Sequence, residues 1–410
     1  MIIHMMQVLT IVCKLNPTPE QVVKIEATLK AFADGCNYVN ETVKPTITSA
    51  SSIQNLVYPE LRSIYGLSAN LAVRACARVG ANRKTARAKG KPVKSFKPTS
   101  VDYDARIFDF REKDWTVSLT LVEGREHIKL VASNYQRGKL AGHKPTSAQM
   151  CKHRDGQYYI HIQVKDEAPQ PIKSGSVIGV DFGRREIAHT SRSDGTCYNG
   201  GSPRNAVPQK WDGKQIQQVR DKYSRVRASL QRCATKGTRS TRRRARRLLK
   251  RLQGRERRFQ TWLNHNISKQ IIQSAIATKS VVAIEDLTGI RERTNSKPRN
   301  KVERFRSNSW AFYQLRQFLE YKGLQFGVDI VAVSPAWSSQ TCHKCLQIGL
   351  RSEKSFKCTN EPCLWHGDSD WNAANVLSLI GAVAVNPLRG SSLSCSLNRD
   401  DSGLLKASGF

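Results

Sequence analysis

The sequence predicts an α/β chain of several domains, and three observations carry that reading. Apolar residues recur at helical spacing from Val22 to Val79, alternate at a period of two from Trp115 to Val164, and from Val177 onward fall into buried-type strands separated by helices. Near the C-terminus Cys342-His343-Lys344-Cys345 is followed by Cys358, Cys363 and, seven residues further, Asp370. A metal knuckle is therefore expected as an insertion in a nuclease-type core, against a candidate catalytic carboxylate. At 410 residues and 39 % hydrophobic content the chain has room for two or three globular domains.

Met1 to Leu15 reads as a strand, since it lacks the basic start and small-residue cleavage site of a signal peptide. Thr18-Pro19-Glu20-Gln21 then starts a helix, with a capping threonine, proline at the first helical position and glutamine where a capping box wants it. Val22, Ile25, Leu29 and Phe32 form its apolar stripe. Leu71, Ala75 and Val79 continue the helical pattern into a run from Arg83 to Lys97 with seven basic residues and no acid, the basic edge of a small helical unit. From about Val101 the period changes: Trp115, Val117, Leu119 and Leu121 alternate, Glu123-Gly124 turns the chain, and Ile128 and Leu130 resume. Asp155-Gly156 is a second hairpin signal, leading into Tyr158, Ile160, Ile162 and Val164. Pro169 and Pro171 read as a linker.

Val177 to Gly183 is a buried-type strand carrying Asp181, and Glu186 to Thr190 a second, short one. Between Arg204 and Arg258 there are 20 lysines or arginines and only three acids, Asp212, Asp221 and Glu256. Leu248, Leu252, Phe259, Leu263 and Ile267 keep helical spacing within and beyond this stretch, so helices with an apolar seam and a cationic outer face are expected, interrupted near Gly237 and Gly254. Val281 to Asp286 is a strand ending in two acids, Arg291 to Arg306 a basic loop, Phe312 to Leu319 a helix, and Val328 to Val333 a strand. From Asn386 no periodicity remains, and no structure is expected there.

The charge balance narrows the function. Sixty-seven lysines and arginines against 33 acids give +34, which would cost stability through self-repulsion unless a polyanion neutralises it. Nucleic acid is the first partner to consider, and Arg83, Lys84, Arg242, Arg243, Arg246, Arg247 and Lys250 are candidate phosphate contacts. A membrane is disfavoured, because no stretch reaches the roughly 18 apolar residues needed to span. Cys13, Cys36, Cys76, Cys151, Cys197, Cys233 and Cys395 are scattered without pairing rhythm, which suits inert thiols in a reducing cytosol. Trp115, Tyr158, Trp262 and Trp310 could stack on bases, but core packing is the favoured reading.

Asp181, Glu285 and Asp370 each stand where a strand end or helix start can present them. Together they suit phosphodiester hydrolysis, in which carboxylates hold two divalent cations about 4 Å apart, and Mg2+ (or Mn2+) suits oxygen ligands. Crowding them without metal would raise some of their pKa values. Asp286 competes with Glu285, but strand alternation points the two to opposite faces, so only one can join. The four cysteines lie within 22 positions and are the preferred Zn2+ ligands. Cys358 and Cys363 are separated by four residues, so His366 is an alternative to Cys363; His343 is a weaker spare, expected as a solvated neighbour.

The motifs Val177-Ile178-Gly179-Val180-Asp181-Phe182-Gly183, Ala283-Ile284-Glu285-Asp286-Leu287, Ser338 to Cys345 and Asp370-Trp371-Asn372-Ala373-Ala374, in that order, resemble the TnpB (OrfB) proteins of bacterial insertion sequences, relatives of type V CRISPR effectors. The likeness is strongest from Val177 to Leu377 and weaker before, where Pro17 to Gln21 and Cys36-Asn37-Tyr38-Val39-Asn40 look like the family's opening. The resemblance implies an RNase H-like (RuvC) nuclease domain whose triad is Asp181, Glu285 and Asp370, with a zinc ribbon held by Cys342, Cys345, Cys358 and Cys363. It also implies a wedge-like β-barrel at residues 1–16 and 96–172, a helical recognition lobe at 17–95, RuvC at 173–334 with a basic insert at about 205–275, the ribbon at 335–366, the last RuvC motif at 367–383, and a flexible tail at 384–410. The implied partners are a guide RNA from the transposon end and double-stranded DNA, cut beside a transposon-associated motif. The implied setting is the cytoplasm of a prokaryote, at the nucleoid, with a monomer favoured. A guided repressor that does not cut, a transposition-associated DNA strand transferase and a compact type V effector are the alternatives. The ribbon's widened second pair and Asn375-Val376 depart from the family's usual pattern.

Overall fold

In this computed structural model the described residues are 6–172, 176–194, 208–290, 311–385, positions 296, 298, 300 and 304, and the strands Leu397–Arg399 and Leu405–Ala407. The chain forms two compact units, residues 1–167 and 168–410.

In the first unit, strands β1 (Met6–Asn16), β2 (Ser100–Asp104), β3 (Phe108–Arg111), β4 (Thr116–Leu121), β5 (Gly124–Val131), β6 (Ser147–Lys152) and β7 (Tyr158–Glu167) make one antiparallel sheet in the order β2-β6-β7-β1-β5-β4-β3. Only three residues join the edge strands β2 and β3. They can bridge about 14 Å, whereas seven flat strands at roughly 4.8 Å spacing would hold the edges about 29 Å apart. The sheet therefore curls into an open barrel. Both hairpin signals fall at turns, with Gly124 at φ 118° and Gly156 at φ 80°, backbone that a side chain would strain.

Helices α1 (Pro19–Thr42), α2 (Ala50–Ser63) and α3 (Ala69–Ala88) are inserted between β1 and β2, and a short α4 (Asn134–Leu140) follows β5. The capping box forms: Gln21 N donates to Thr18 Oγ1 at 3.3 Å and Thr18 N donates to Gln21 Oε1 at 3.1 Å. Ile25, Leu29 and Phe32 of α1 and Leu71, Ala75 and Val79 of α3 share one core with Val117, Leu119, Ile160 and Ile162 of the sheet. Arg83 corrects the sequence reading, for it is 3 % exposed. Its guanidinium donates to the carbonyls of Val43 at 2.7 Å, Lys44 and Ile47 at 3.0 Å, and Asn40 at 3.2 Å. It satisfies the carbonyls that the end of α1 leaves without helical partners, and has nothing left for a phosphate. Lys84, its neighbour, is exposed.

The second unit is built on β8 (Ser176–Asp181), β9 (Glu186–Arg192), β10 (Lys210–Asp212), β11 (Ser280–Glu285) and β12 (Ile330–Val333), in the order β10-β9-β8-β11-β12. The pairs β10-β9 and β9-β8 are antiparallel; β8-β11 and β11-β12 are parallel. Parallel strands need covered faces. One face packs on α7 (Arg255–Ala277) and α8 (Phe312–Phe326) through Ile178, Val180, Val282, Ile284, Ile271 and Leu315. The other packs on α9 (Ser369–Val385) through Val177, Val281, Ala283, Val376, Leu377 and Ile380. Here the helix lies unusually close: a Cβ on Gly179 would stand 2.1 Å from the Ala374 carbonyl, and one on Gly381 2.5 Å from Ala283 Cβ.

Helices α5 (Lys214–Thr235) and α6 (Arg239–Leu252) complete the basic insert. The breaks fall near Gly237 and at Gly254, whose φ is 77°. Between β12 and α9, β13 (Gly349–Ser352), β14 (Ser355–Cys358) and β15 (His366–Asp368) form a small antiparallel sheet. In the segment where the sequence reading folded nothing, β16 (Leu397–Arg399) pairs antiparallel with β17 (Leu405–Ala407). The other residues from Asn386 on, Cys197, Cys395, Trp310 and most of the Arg291–Arg306 loop lie outside the described residues.

Candidate active site and metal centres

Side-chain alternation decides which acids meet. Along β8 and β11, Val177, Val281 and Ala283 lie in the core under α9, while Ile178, Val180, Val282 and Ile284 lie in the core on the opposite face. The register pairs Ala283 with Gly179 and Ile284 with Val180. One step further, Glu285 and Asp181 stand side by side at the C-terminal ends of neighbouring parallel strands, on the α9 face. Asp370 is in the first turn of α9 and so reaches the same end of the sheet. Asp286, on the other side of the backbone, pairs with Arg316 at 2.9 Å and is no part of the group.

Glu285 is 7 % exposed and accepts a hydrogen bond from Phe182 N at 3.4 Å. Burial pushes the Asp181 carboxyl up to about 7, helped by the charge of Asp370 and opposed by Arg351 and by a hydrogen bond from Glu285. Burial, then the charge of Asp181, raises Glu285 well above the usual carboxylate range. Both carboxyls are therefore harder to ionise than free ones. This is how crowded carboxylates behave where no cation neutralises them.

Asp370, 6 % exposed, is held by two cations that the sequence reading did not single out. Arg351 Nη2 on β13 donates to its Oδ1 at 2.8 Å, and Lys354, in the turn before β14, donates to its Oδ2. Lys354 also lies 3.0 Å from Glu186. No periodicity in the sequence could pair these residues with Asp370, because the contact needs the small sheet already folded. The three carboxylates offer oxygen only, a set that fits Mg2+ or Mn2+, and the side-chain ammonium and guanidinium at Asp370 show that the site draws positive charge. A cavity of about 520 Å3 opens beside it, lined by Arg185, Lys214, Gln217 and Lys354 among others.

Cys342, Cys345, Cys358 and Cys363 bring their sulfurs within 4.8 Å of one another. Cys342 Sγ and Cys363 Sγ are 3.8 Å apart, Cys345 Sγ and Cys358 Sγ 3.4 Å, with no disulfide. A tetrahedral zinc with bonds of about 2.3 Å needs sulfurs roughly 3.8 Å apart, so the set fits. Burial disfavours the Cys345 thiolate, but hydrogen bonds from Gln347 N, Asn360 and the neighbouring thiols outweigh it and bring Cys345 down to about 7. His366 is exposed on β15, outside the cluster. His343 is not the solvated neighbour expected. Its backbone N at 3.0 Å and its ring Nδ1 at 2.9 Å both bond to Asn372 Oδ1, and its ring meets Trp365 and Trp371 edge-on. Asn372, two residues past Asp370, also donates to the Thr341 carbonyl at 2.7 Å, tying the knuckle to α9.

Among the candidate phosphate contacts on α6, Arg242, Arg243, Arg246, Arg247 and Lys250 are all exposed, and the one buried residue of that helix is Ala245. Tyr158 is buried, and Trp115 packs at the edge of the first unit's core. Trp262 departs from the core reading, being 57 % exposed and stacked on Phe259.

Residues 159–289 match the family model OrfB_IS605, described as "Probable transposase", and residues 312–377 match the TNB domain of Cas12f1-like proteins. The TnpB-like protein of Methanocaldococcus jannaschii is 36 % identical over 114 residues, 28 % of this chain and 40 % of that protein. The CRISPR-associated endodeoxyribonuclease Cas12f1 of Syntrophomonas palmitatica is 26 % identical over 58 % of this chain and 44 % of its own length. The RNA-guided DNA endonuclease InsQ proposed in Escherichia coli is 26 % identical over 58 % and 56 %. The chain thus spans about half the length, or less, of these relatives. Two solved structures share its fold: Cas12f1 in complex with single-guide RNA and target DNA, with a TM-score of 0.56 at 14 % identity over 88 % of this chain and 83 % of that one, and the mini RNA-guided endonuclease Cas_phi3, with 0.53 at 11 % over 95 % and 94 %. The two matched segments, residues 159–289 and 312–377, carry Asp181, Glu285, the four cysteines and Asp370, so the likeness of this chain to TnpB-like and Cas12f1-like proteins lies on the site itself.

Proposed function

We propose that this protein is an RNA-guided DNA endonuclease, whose RuvC-type site consists of Asp181, Glu285 and Asp370. One observation carries the reading: three acids remote in sequence meet at one end of the second unit's sheet, two on adjacent strand ends and one on the helix across them. The strand order and directions of that sheet fit an RNase H-like domain, with the small cysteine-bearing sheet as its inserted zinc ribbon. Bound there, two Mg2+ ions would activate the attacking water and stabilise the leaving oxygen.

The chain's own residues supply the rest. Asp181 and Glu285, which burial and mutual repulsion make hard to ionise, must be ionised to hold a cation, and Asp370 must exchange Lys354 and Arg351 for one. Those two side chains, once released, stand next to the reacting centre as cations for the scissile phosphate. The exposed arginines of α6 contact phosphates without reading sequence, as fits a protein whose specificity comes from base pairing with a guide RNA. In the first unit the curled sheet would serve as the wedge and α1 to α3 as the recognition lobe, with DNA beside a transposon-associated motif as target.

The test is Asp181→Ala in the guide-loaded protein: DNA cleavage falls at least about 1000-fold while RNA binding and the melting temperature are kept. Retained cleavage would overturn the assignment.

A further inference from the structure

Beside the acid triad, and sharing no residue with it, lies a second group of metal-competent side chains. Among the described residues, Glu186, His189 and Asp368 each bring one ligand atom within 4.8 Å of the others. Residues three apart on a regular strand face opposite sides. Here β9 pairs Ala188 with Trp211 but Glu186 with Asp212, so Ile187 is an extra residue in the ladder. That bulge turns Glu186 and His189 to one side, and bulges near reacting centres commonly re-aim a side chain in this way. Asp368 arrives from β15. Its Oδ1 accepts from Asp370 N and Trp371 N, both at 2.9 Å, which caps α9 and leaves its second oxygen for another role.

The group is incomplete as it stands. The side chains of His189 and Glu186 are only 7 % and 14 % exposed, and His189 Nδ1 lies 3.4 Å from Glu186 Oε2. Apart from that contact with each other, neither atom has a hydrogen-bond partner among the described residues. A buried polar atom left unpaired is costly and calls for an explanation. The positive charge now present is Lys354, at 3.0 Å from Glu186 and shared with Asp370.

We propose that Glu186, His189 and Asp368 form a divalent transition-metal site, separate from the triad, that takes an ion of the Mn2+, Co2+ or Zn2+ class through His189 Nδ1 and one oxygen from each carboxylate. One imidazole nitrogen with two carboxylates suits these ions better than Mg2+, and two negative charges balance the dication. The ion joins the bulged start of β9 to β15 and, through the other oxygen of Asp368, to the first turn of α9. It is a positioning site: it fixes the helix start that presents Asp370 and takes the place of Lys354 at Glu186.

The probe is Mn2+, titrated into full-length, zinc-loaded protein carrying Asp181→Asn and Glu285→Gln, so that the triad is disabled and the new site is intact. Electron paramagnetic resonance is expected to show one bound Mn2+ with nitrogen coupling from an imidazole. Adding His189→Gln removes the nitrogen coupling and weakens binding at least tenfold. Adding Asp368→Asn, which keeps the capping oxygen, or Glu186→Gln, weakens it to a similar degree. These two carry the test should His189→Gln lower the melting temperature. Mn2+ that stays free, binds without nitrogen coupling, or binds equally well to all of these variants would overturn the site and leave a His189–Glu186 contact only. Because the two sites share no ligand, neither result alters the reading of the triad.

Discussion

Two basic stretches look alike in the sequence and behave in opposite ways in the fold. The run that opens at Arg83 and the run along α6 both carry many cations and almost no acids. Yet the Arg83 guanidinium is buried among carbonyls at the end of α1, while Arg242, Arg243, Arg246 and Arg247 stand in solvent around a helix whose one buried residue is Ala245. Net charge therefore reports the class of partner, not the residues that touch it. What decides the role of an arginine is whether the fold has already supplied its acceptors.

The difference can be broken most directly at Arg83. Arg83→Ala strands the carbonyls of Val43, Lys44 and Ile47 and is expected to cost the first unit about 3 kcal/mol, read by urea denaturation. A cost under about 0.5 kcal/mol would return Arg83 to the surface class. On α6 the effect moves from stability to binding. Replacing Arg242, Arg243, Arg246 and Arg247 together by alanine leaves the melting temperature unchanged, weakens RNA binding roughly 10- to 100-fold, and flattens the slope of log affinity against log salt by about 3. An unchanged salt slope would remove α6 from the interface.

The acid pair sharpens the same comparison, because there the fold holds charge it has not neutralised. The folded Asp181 titrates near 7, above its unfolded value near 3.8, so the folded state holds the extra proton between those values. Its penalty is absent below pH about 4 and grows as pH rises through about 7. In magnesium-free buffer Asp181→Asn is therefore expected to stabilise the protein by about 1–2 kcal/mol at pH 8 and by less at pH 5. An equal effect at the two pH values would mean that the carboxyl is not under strain. Smallest of all, Lys84→Ala should change stability by less than about 0.5 kcal/mol, since its side chain is exposed.

How much was legible follows from which regularities leave a trace in the chain. Period-two alternation is local, so it could be reasoned from the strand alone that only one of Glu285 and Asp286 joins the group; which of the two does rested on the family resemblance, since the register that sets Glu285 beside Asp181 pairs residues far apart in the chain. The misreading of Arg83 had a remedy in plain view, since Leu71, Ala75, Val79 and Arg83 lie on one helical stripe, and a cation on a buried stripe is held by buried acceptors. Arg351, Lys354 and Asn372 left no such trace, because they meet Asp370 and the knuckle only after the small sheet has folded. The bulge at Ile187 was equally silent: it depends on where β10 pairs, and no residue in β9 announces it.

The close approach of α9 to the sheet at Gly179 and Gly381 has a consequence for how sequences of this kind can drift. A methyl group at either position would have to push the helix outward, and the same helix carries Asp370 at its start, so the misfit would be felt at the end of the sheet where the three acids meet. The cationic faces of α6 can trade one arginine for another freely, whereas two residues without side chains leave natural variation almost no latitude.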